Sequence, residues 1–167
     1  MDNLLILGAG GFGRLIAELA AESRRYDRIS FLDDNSKDKR VVGRLPEYGR
    51  FVRGYRQALV AMGDNALRLR CLKELEAAGF ELPVFVFRPA YLSPSAQIGQ
   101  GSFVLPGAVV NTGAQVGRGA IINCGAVVDH EAVVGEGAHI CLNAVVKSGC
   151  RVAPCLKVEA GQVVQRP

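Results

Sequence analysis

Residues 116–139 read VGRGAI-INCGAV-VDHEAV-VGEGAH, four blocks of six residues, each beginning with valine or isoleucine. The same interval continues outward from residue 92 to residue 164 without an insertion. A period of six fits neither the 3.6-residue turn of an α-helix nor the alternation of a strand in a hairpin meander, so it indicates a structural repeat. The aliphatic positions are Leu92, Ile98, Val104, Val110, Val116, Ile122, Val128, Val134, Ile140, Val146, Val152, Val158 and Val164.

Two further columns predict how the chain turns. Glycine is the usual residue three places after the aliphatic position, and a small residue usually follows it, as in Gly107-Ala108 and Gly113-Ala114. Glycine permits the positive φ of a sharp corner, and a small side chain fits inside the corner. We therefore predict a parallel β-helix with three faces and about four stacked coils of eighteen residues each. An inert scaffold with the same repeat is the alternative.

Composition narrows the class of protein. The chain has 167 residues, 49% of them hydrophobic and 22% charged, with a formal net charge of +4. The sequence contains no apolar run long enough to span a bilayer and no basic leader typical of a signal peptide. Basic residues before Arg88 alternate with acids, so no nucleic-acid partner is expected. The five cysteines are odd in number and form no C-x-x-C pair, which favours reduced thiols and a cytoplasmic location.

The N-terminal part begins with a pattern typical of nucleotide binding. Residues 3–8 predict a buried parallel strand, and residues 12–25 have helical spacing. Between them, Gly8, Gly10 and Gly13 match G-x-G-x-x-G. Backbone N–H groups at the start of such a helix can hold a phosphate. This order predicts a Rossmann-like mononucleotide-binding unit.

A second predicted strand, residues 28–32, ends in two acids that are placed to bond a ribose or a base. A third strand is predicted over residues 58–62, followed by a turn and a helix from Asp64 or Asn65 to Ala78. The residues predicted to contact a nucleotide ligand are Gly8, Gly10, Gly11, Gly13, Asp33, Asp34, Gly63 and Asn65.

The domain boundary is predicted near the Arg88-Pro89 step. A fourth strand is expected over residues 82–87, which gives an N-terminal domain of residues 1–88 and a repeat domain of residues 89–167. The N-terminal domain is half the size of a full dinucleotide-binding domain. That size argues against an NAD-dependent oxidoreductase.

Several segments resemble one family when they are taken together. Gly-Ala-Gly-Gly-Phe-Gly at 8–13, Phe-Leu-Asp-Asp at 31–34, Met-Gly-Asp-Asn at 62–65 and Leu-Ser-Pro-Ser-Ala at 92–96 occur in the expected order. With the hexad repeat, they resemble bacterial sugar acetyltransferases related to sialic-acid O-acetyltransferase and UDP-4-amino-sugar N-acetyltransferases. The resemblance implies a left-handed β-helix that binds acetyl-CoA at the interfaces of a homotrimer. It also implies that the α/β domain binds a nucleotide-sugar.

The candidate catalytic residues are in the block that starts at Val128. Glu131 occupies a corner position where glycine is usual, and such departures from local consistency tend to mark functional sites. The segment from Asn123 to Glu131 resembles the family's Asn…His-Glu catalytic segment. This implies that His130 is the general base, that Glu131 orients it and raises its basicity, and that Asn123 contacts the substrate. Imidazole, with a reference pKa of about 6.5, suits proton transfer at neutral pH.

The other histidine, His139, lies nine residues further on, which is half a coil. On one chain it should face away from His130, so the two can approach only across a subunit boundary. The resemblance implies that His139 contacts the thioester or pantetheine arm of acetyl-CoA. It also implies that the turn at Ser148 and Gly149 supplies an amide to the same co-substrate.

The sequence weighs against two alternatives to an acetyltransferase and keeps a third open. A hexapeptide-repeat carbonic anhydrase needs three zinc-binding histidines where this chain has two, so no metal is expected. Cysteine catalysis would require Cys124, one block before His130, to meet a base after a turn of the chain. A nucleotide-sugar-binding subunit with weak or no activity is favoured by length, because only thirty-six residues follow Glu131 and relatives are expected to continue further.

Overall fold

The structure is a computed structural model that describes residues 2–165. The chain divides into two compact units, Met1–Pro83 and Val84–Pro167. The boundary lies five residues before the predicted one.

The N-terminal unit is built around a parallel sheet of four strands in the order β3-β2-β1-β4. Buried aliphatic residues of β1 form its centre, which agrees with the apolar run seen in the sequence. The elements of the unit in chain order are β1 (Asp2–Leu7), α1 (Gly11–Glu22), β2 (Tyr26–Leu32), β3 (Val41–Gly43), a 3-10 helix (Leu45–Arg50), β4 (Gln57–Val60) and α2 (Asn65–Ala77).

The predicted strands and helices of this unit are confirmed in type, with shifted ends. Asp64 caps α2, because its carboxylate accepts a hydrogen bond from the Leu67 N–H at 2.8 Å. Strand β3 and the 3-10 helix lie in the segment from Asp38 to Gly49, where only polar turns were expected.

The predicted strand over residues 82–87 is wrong as a member of the N-terminal sheet. Only Phe85–Val86 forms a strand, and it pairs with Phe103–Val104 of the repeat domain. Val86 lies six residues before Leu92, so the hexad repeat begins one block earlier than predicted.

The second unit consists of two-residue strands in three parallel sheets, which form three faces of a coil. The strands in chain order are β5 (Phe85–Val86), β6 (Tyr91–Leu92), β7 (Gln97–Ile98), β8 (Phe103–Val104), β9 (Val109–Val110), β10 (Gln115–Val116), β11 (Ile121–Ile122), β12 (Val127–Val128), β13 (Val133–Val134), β14 (His139–Ile140), β15 (Val145–Val146), β16 (Arg151–Val152), β17 (Lys157–Val158) and β18 (Val163–Val164). Every third strand lies on the same face. The first face contains β5, β8, β11, β14 and β17, the second contains β6, β9, β12, β15 and β18, and the third contains β7, β10, β13 and β16.

The strand register confirms the eighteen-residue coil. On the third face, for example, Gln115 pairs with Gln97 below it and with Val133 above it. The repeated aliphatic residues point inward, and those from Val104 to Val158 are at most 4% exposed. Burying each one contributes about 1.5–3 kcal/mol, so the aliphatic column holds the coils together.

Candidate active site

His130 and Glu131 occupy the corner between the second and third faces, after β12 and before β13. Nδ1 of His130 lies 3.7 Å from Oε2 of Glu131. This separation is too long for a hydrogen bond but within the range of an ion pair once the imidazole carries a proton. The two side chains are 56% and 78% exposed, so both are available to a ligand. The predicted catalytic pair therefore lies together at an open corner.

The backbone of this corner is held from both sides. Glu131 has a φ of 58°, in the left-handed region that favours glycine. Its N–H donates to the Thr112 carbonyl at 2.9 Å, and the His130 carbonyl accepts from the Gly149 N–H at 3.1 Å. The coils below and above thus support a conformation that glutamate alone would not prefer. The Gly149 N–H is already occupied by this bond.

Asp129 and Asn111 form a polar pair beneath the corner that the sequence prediction missed. Asp129 Oδ1 accepts hydrogen bonds from Nδ2 of Asn111 at 3.0 Å and from the His130 N–H at 2.8 Å. The Asn111 amide first, and then the His130 N–H, lower the pKa of Asp129 below its ordinary value. The eighteen-residue spacing of Asn111 and Asp129 could have revealed this contact.

An open cleft of about 380 Å³ brings the corner together with the turn above it. Its lining includes His130, Glu131, Ser148 and Gly149, so the predicted catalytic pair and two of the predicted cofactor residues share one site. Lys147 also lines the cleft and supplies a cation that the sequence prediction missed. The full lining consists of His130, Glu131, Lys147, Ser148, Gly149, Cys150 and Gln165.

His139 and Asn123 lie elsewhere on the same chain. His139 belongs to β14 on the first face, opposite the corner that carries His130. Nδ2 of Asn123 lies 3.0 Å from Nε2 of His139, a hydrogen bond that fits the tautomer protonated at Nδ1. One chain therefore pairs these two predicted site residues with each other but does not bring them to His130.

The glycines of the turn between β1 and α1 differ in the space around them. A Cβ at Gly13 would lie 1.9 Å from the Gly8 carbonyl oxygen, so glycine is required for α1 to approach β1. At Gly10 and Gly11, by contrast, a Cβ would meet no atom within 4 Å. This open side of the turn leads to the N-terminus of α1, and the N-terminus of a helix attracts anions.

Asp33 supports this turn. Its carboxylate accepts hydrogen bonds from the N–H groups of Ala9, Asn35 and Ser36 at 2.7–2.9 Å. Partial burial works to raise the pKa of Asp33, but these three donors outweigh it and leave the pKa below its ordinary value. Asp33 therefore shapes the turn, and the neighbouring Asp34 bonds the Leu45 N–H at 3.1 Å.

A second turn, between β4 and α2, contains the predicted residue Gly63, and the predicted residue Asn65 begins α2. It is braced by Arg68, which is fully buried and donates to the Met62 carbonyl at 2.7 Å and to Asn65 Oδ1 at 2.8 Å. The strand order reverses between β1 and β4, so both turns lie where nucleotides bind in sheets of this kind. The buried role of Arg68 could not be read from sequence, because most arginines are exposed.

Two searches of residues 2–165 bear on other kinds of site. Nowhere in this range do three or more His, Cys, Asp or Glu side chains form a group able to hold a metal ion. None of the helices in the described part of the chain has the length and apolarity needed to cross a membrane.

Comparison with known families matches both units. The PglD N-terminal domain family matches residues 3–75, and the bacterial transferase hexapeptide family (six repeats) matches residues 95–130.

Solved structures match the chain along almost all of its length. The acetyltransferase domain of PglB from Neisseria gonorrhoeae is 31% identical, with a TM-score of 0.88 over 99% of this chain and 92% of that chain. A second structure of the same domain, in complex with acetyl coenzyme A, has a TM-score of 0.86 at 31% identity over 98% of this chain and 92% of that chain. PerB from Caulobacter crescentus, solved in complex with CoA and GDP-perosamine, is 27% identical, with a TM-score of 0.86 over 99% and 90% of the two chains.

These matches confirm the predicted fold class, an α/β domain followed by a left-handed parallel β-helix. They also confirm the family resemblance drawn from the sequence motifs. The chain therefore belongs to the hexapeptide-repeat sugar acetyltransferases that carry a PglD-type N-terminal domain.

Proposed function

We propose that this enzyme transfers an acetyl group from acetyl-CoA to an amino or hydroxyl group of a nucleotide-activated sugar, by direct attack in a ternary complex. The observation that carries the proposal is the single cleft that joins His130 and Glu131 with the turn at Ser148. The complexes of PglB with acetyl coenzyme A and of PerB with CoA and GDP-perosamine support both substrates.

His130 is proposed as the general base. Its Nδ1 is directed at Glu131, which leaves Nε2 to take the proton of the attacking amine or hydroxyl. The acceptor's lone pair then forms a bond to the thioester carbonyl carbon, and the bond from that carbon to sulfur breaks as CoA leaves. Glu131, whose Oε2 lies 3.7 Å from Nδ1, is proposed to orient the ring while it takes the proton.

The cleft offers two groups for the negative charge of acetyl-CoA or of the tetrahedral intermediate. These are the Lys147 ammonium and the Ser148 hydroxyl, since the Gly149 N–H already bonds the His130 carbonyl. Positive charge or a hydrogen-bond donor near a developing oxyanion lowers the barrier to acyl transfer.

The nucleotide-sugar is proposed to bind the N-terminal unit. Its phosphates would meet the open side of the turn at Gly10 and Gly11 and the N-terminus of α1. Asp34 is the proposed partner of the ribose or base, because Asp33 is committed to the turn. Gly63 and Asn65 would form the neighbouring wall.

A homotrimer is proposed from the outer surface of the second face. Its outward column is entirely apolar, and Tyr91 and Val163 at its two ends are 54% and 51% exposed. The column consists of Tyr91, Val109, Val127, Val145 and Val163. A ring of three copies could cover this column and bring a neighbour's His139 and Asn123 to the His130 cleft.

The proposed interface is tested by Val127→Asp, which places a charge in the centre of the column. This variant should yield monomers in sedimentation experiments and reduce turnover. A trimer that tolerates this charge would contradict the interface.

The central experiment measures release of CoA thiol with a panel of UDP- and GDP-amino-sugars. His130→Ala should lower kcat by about 10²–10⁴-fold. The matched control is Glu136→Ala, which changes an exposed side chain six residues later, at the equivalent position of the next corner. It should stay within about twofold of the parent, since such surface changes usually have small effects.

Thiol release that survives His130→Ala would remove the proposed base. Nucleotide-sugar binding without any thiol release would favour the binding-subunit hypothesis. The chain spans 92% and 90% of the PglB and PerB chains.

All five cysteines are free thiols, which supports a cytoplasmic location.

A further inference from the structure

Asn111 and Asp129 occupy the same column of the β-helix, one coil apart. Strand β9 pairs with β12 so that Val110 lies beside Val128, and the next residues are therefore stacked. Nδ2 of Asn111 donates to Oδ1 of Asp129 at 3.0 Å. Because Asp129 is half-buried, this amide fixes the orientation of the carboxylate.

The same carboxylate oxygen holds the residue proposed as the base. Oδ1 of Asp129 accepts the His130 N–H at 2.8 Å, and the Asp129 N–H donates to the Val146 carbonyl at 2.9 Å. The backbone of Asp129 and His130 is therefore held at two successive N–H groups. This is a local side chain–backbone bond of the kind that sets turn geometry.

Asp129 is also tied to the coil that forms the opposite wall of the cleft. Its N–H donates to the Val146 carbonyl at 2.9 Å, two residues before Ser148. From the same turn, the Gly149 N–H donates to the His130 carbonyl at 3.1 Å, and the lowered pKa of the Asp129 carboxyl, due mainly to Asn111 and His130, also carries a small effect of the Ser148 N–H. Asp129 thus links the corner that carries His130 with the segment that leads to the turn at Ser148.

We propose that Asp129, held in place by Asn111, is a positioning residue that sets the distance between the base and the acetyl-CoA turn. The inference rests on the proposed acetyl transfer. Asp129 acts through the backbone of His130 and Ser148 and does not touch the reacting atoms. Small displacements of a reacting group are costly in acyl transfer because attack requires a near-contact geometry.

The test compares four variants and one control, Glu136→Ala, in the CoA-release assay, with the substrates that the parent enzyme accepts. Asp129→Ala should lower kcat by about 10- to 100-fold, since hydrogen bonds to a charged group are lost. The KM values for acetyl-CoA and nucleotide-sugar should change by less than about threefold, because the binding groups remain. Asp129→Asn keeps an oxygen acceptor at the same place and should recover kcat to within about threefold of the parent.

Two further variants separate positioning from general stability. Asn111→Ala should lower kcat by about threefold to tenfold, and the double variant with Asp129→Ala should be no slower than Asp129→Ala alone. Glu136→Ala, which removes an acid at the next corner, should leave kcat unchanged. Heating curves for all variants should agree within a few degrees, which shows that loss of kcat does not follow loss of fold.

An unchanged kcat in Asp129→Ala, with His130→Ala inactive, would overturn this inference and leave the proposed function intact. So would additive losses in the double variant, or equal losses in Asp129→Asn and Asp129→Ala. If Asp129→Ala does not fold, Asp129→Asn and Asn111→Ala still decide the question. Absence of thiol release in the parent, by contrast, would refute the proposed function itself.

Discussion

Replacing Glu131 by glycine should make the protein more stable and less active. Glu131 has a φ of 58°. The residues that stack one coil below and above it, Gly113 and Gly149, have similar φ values of 67° and 62°. The conformation is therefore the ordinary one for this corner, and the side chain is what makes it costly. Glycine adopts it without a steric penalty.

The magnitude follows from two opposing terms. A residue with a Cβ in the left-handed region costs about 1–2 kcal/mol, which Glu131→Gly would remove. Glycine also gives the unfolded chain more freedom, which offsets about 0.5–1 kcal/mol of that gain. The side chain is 78% exposed and its 3.7 Å contact with His130 is solvated, so the loss of that contact changes stability little. The expected net gain is about 0.5–1 kcal/mol, or roughly 2–6 °C in Tm for a unit of this size.

The assay is thermal or urea unfolding, run in parallel with CoA release. Cys155→Gly is the matched control, because Cys155 also has a positive φ, 56°, and does not line the cleft; it should gain similar stability and keep its activity. Gly113→Ala should lose about 1 kcal/mol, since its new Cβ would have an ordinary 3.6 Å contact and only the backbone would be strained. Glu131→Gly should lower turnover by about tenfold or more. A destabilised Glu131→Gly with a stabilised Cys155→Gly would refute the assignment of strain to this corner.

Three further predictions concern the N-terminal unit. Gly13→Ala should destabilise this unit by about 3 kcal/mol or more, because its Cβ would overlap the Gly8 carbonyl, while Gly10→Ala should keep the urea midpoint and weaken nucleotide-sugar binding in calorimetry. The stability contributed by the ionised Asp33 carboxylate is complete above its unfolded-state pKa and is lost as pH falls through its lower folded-state pKa. Asp33→Asn should therefore flatten the acid side of a plot of urea midpoint against pH. An unchanged slope would contradict the role given to the three N–H donors. Arg68→Met should cost about 3 kcal/mol in urea unfolding, since two part-buried acceptors lose a charged donor, and an equally stable variant would show that this brace is dispensable.

The coil of the repeat domain was predictable from the sequence because one six-residue pattern determines each corner. An inward aliphatic residue every six positions and a glycine three places later define the coil, and the observed pairing of Gln97, Gln115 and Val133 follows that spacing. The N-terminal boundary was less predictable. Residues 82–87 are apolar enough for a strand in either domain, and only the pairing of Phe85–Val86 with Phe103–Val104 decides between them. Local composition does not encode the partner of a strand.

Site residues that depart from the repeat were predictable from the sequence, and site residues that fit the repeat were not. Glu131 replaces a glycine, so the sequence alone singles it out. Asp129 and Lys147 occupy ordinary outward positions, and their importance comes from being stacked in the same column beside His130, as the pairing of β12 with β15 requires. In a coil of eighteen residues, stacked neighbours differ by eighteen positions, so a search along that interval from Asp129 would have reached Asn111 and Lys147. The repeat that makes the fold easy to recognise therefore also contains the rule for finding its active-site neighbours.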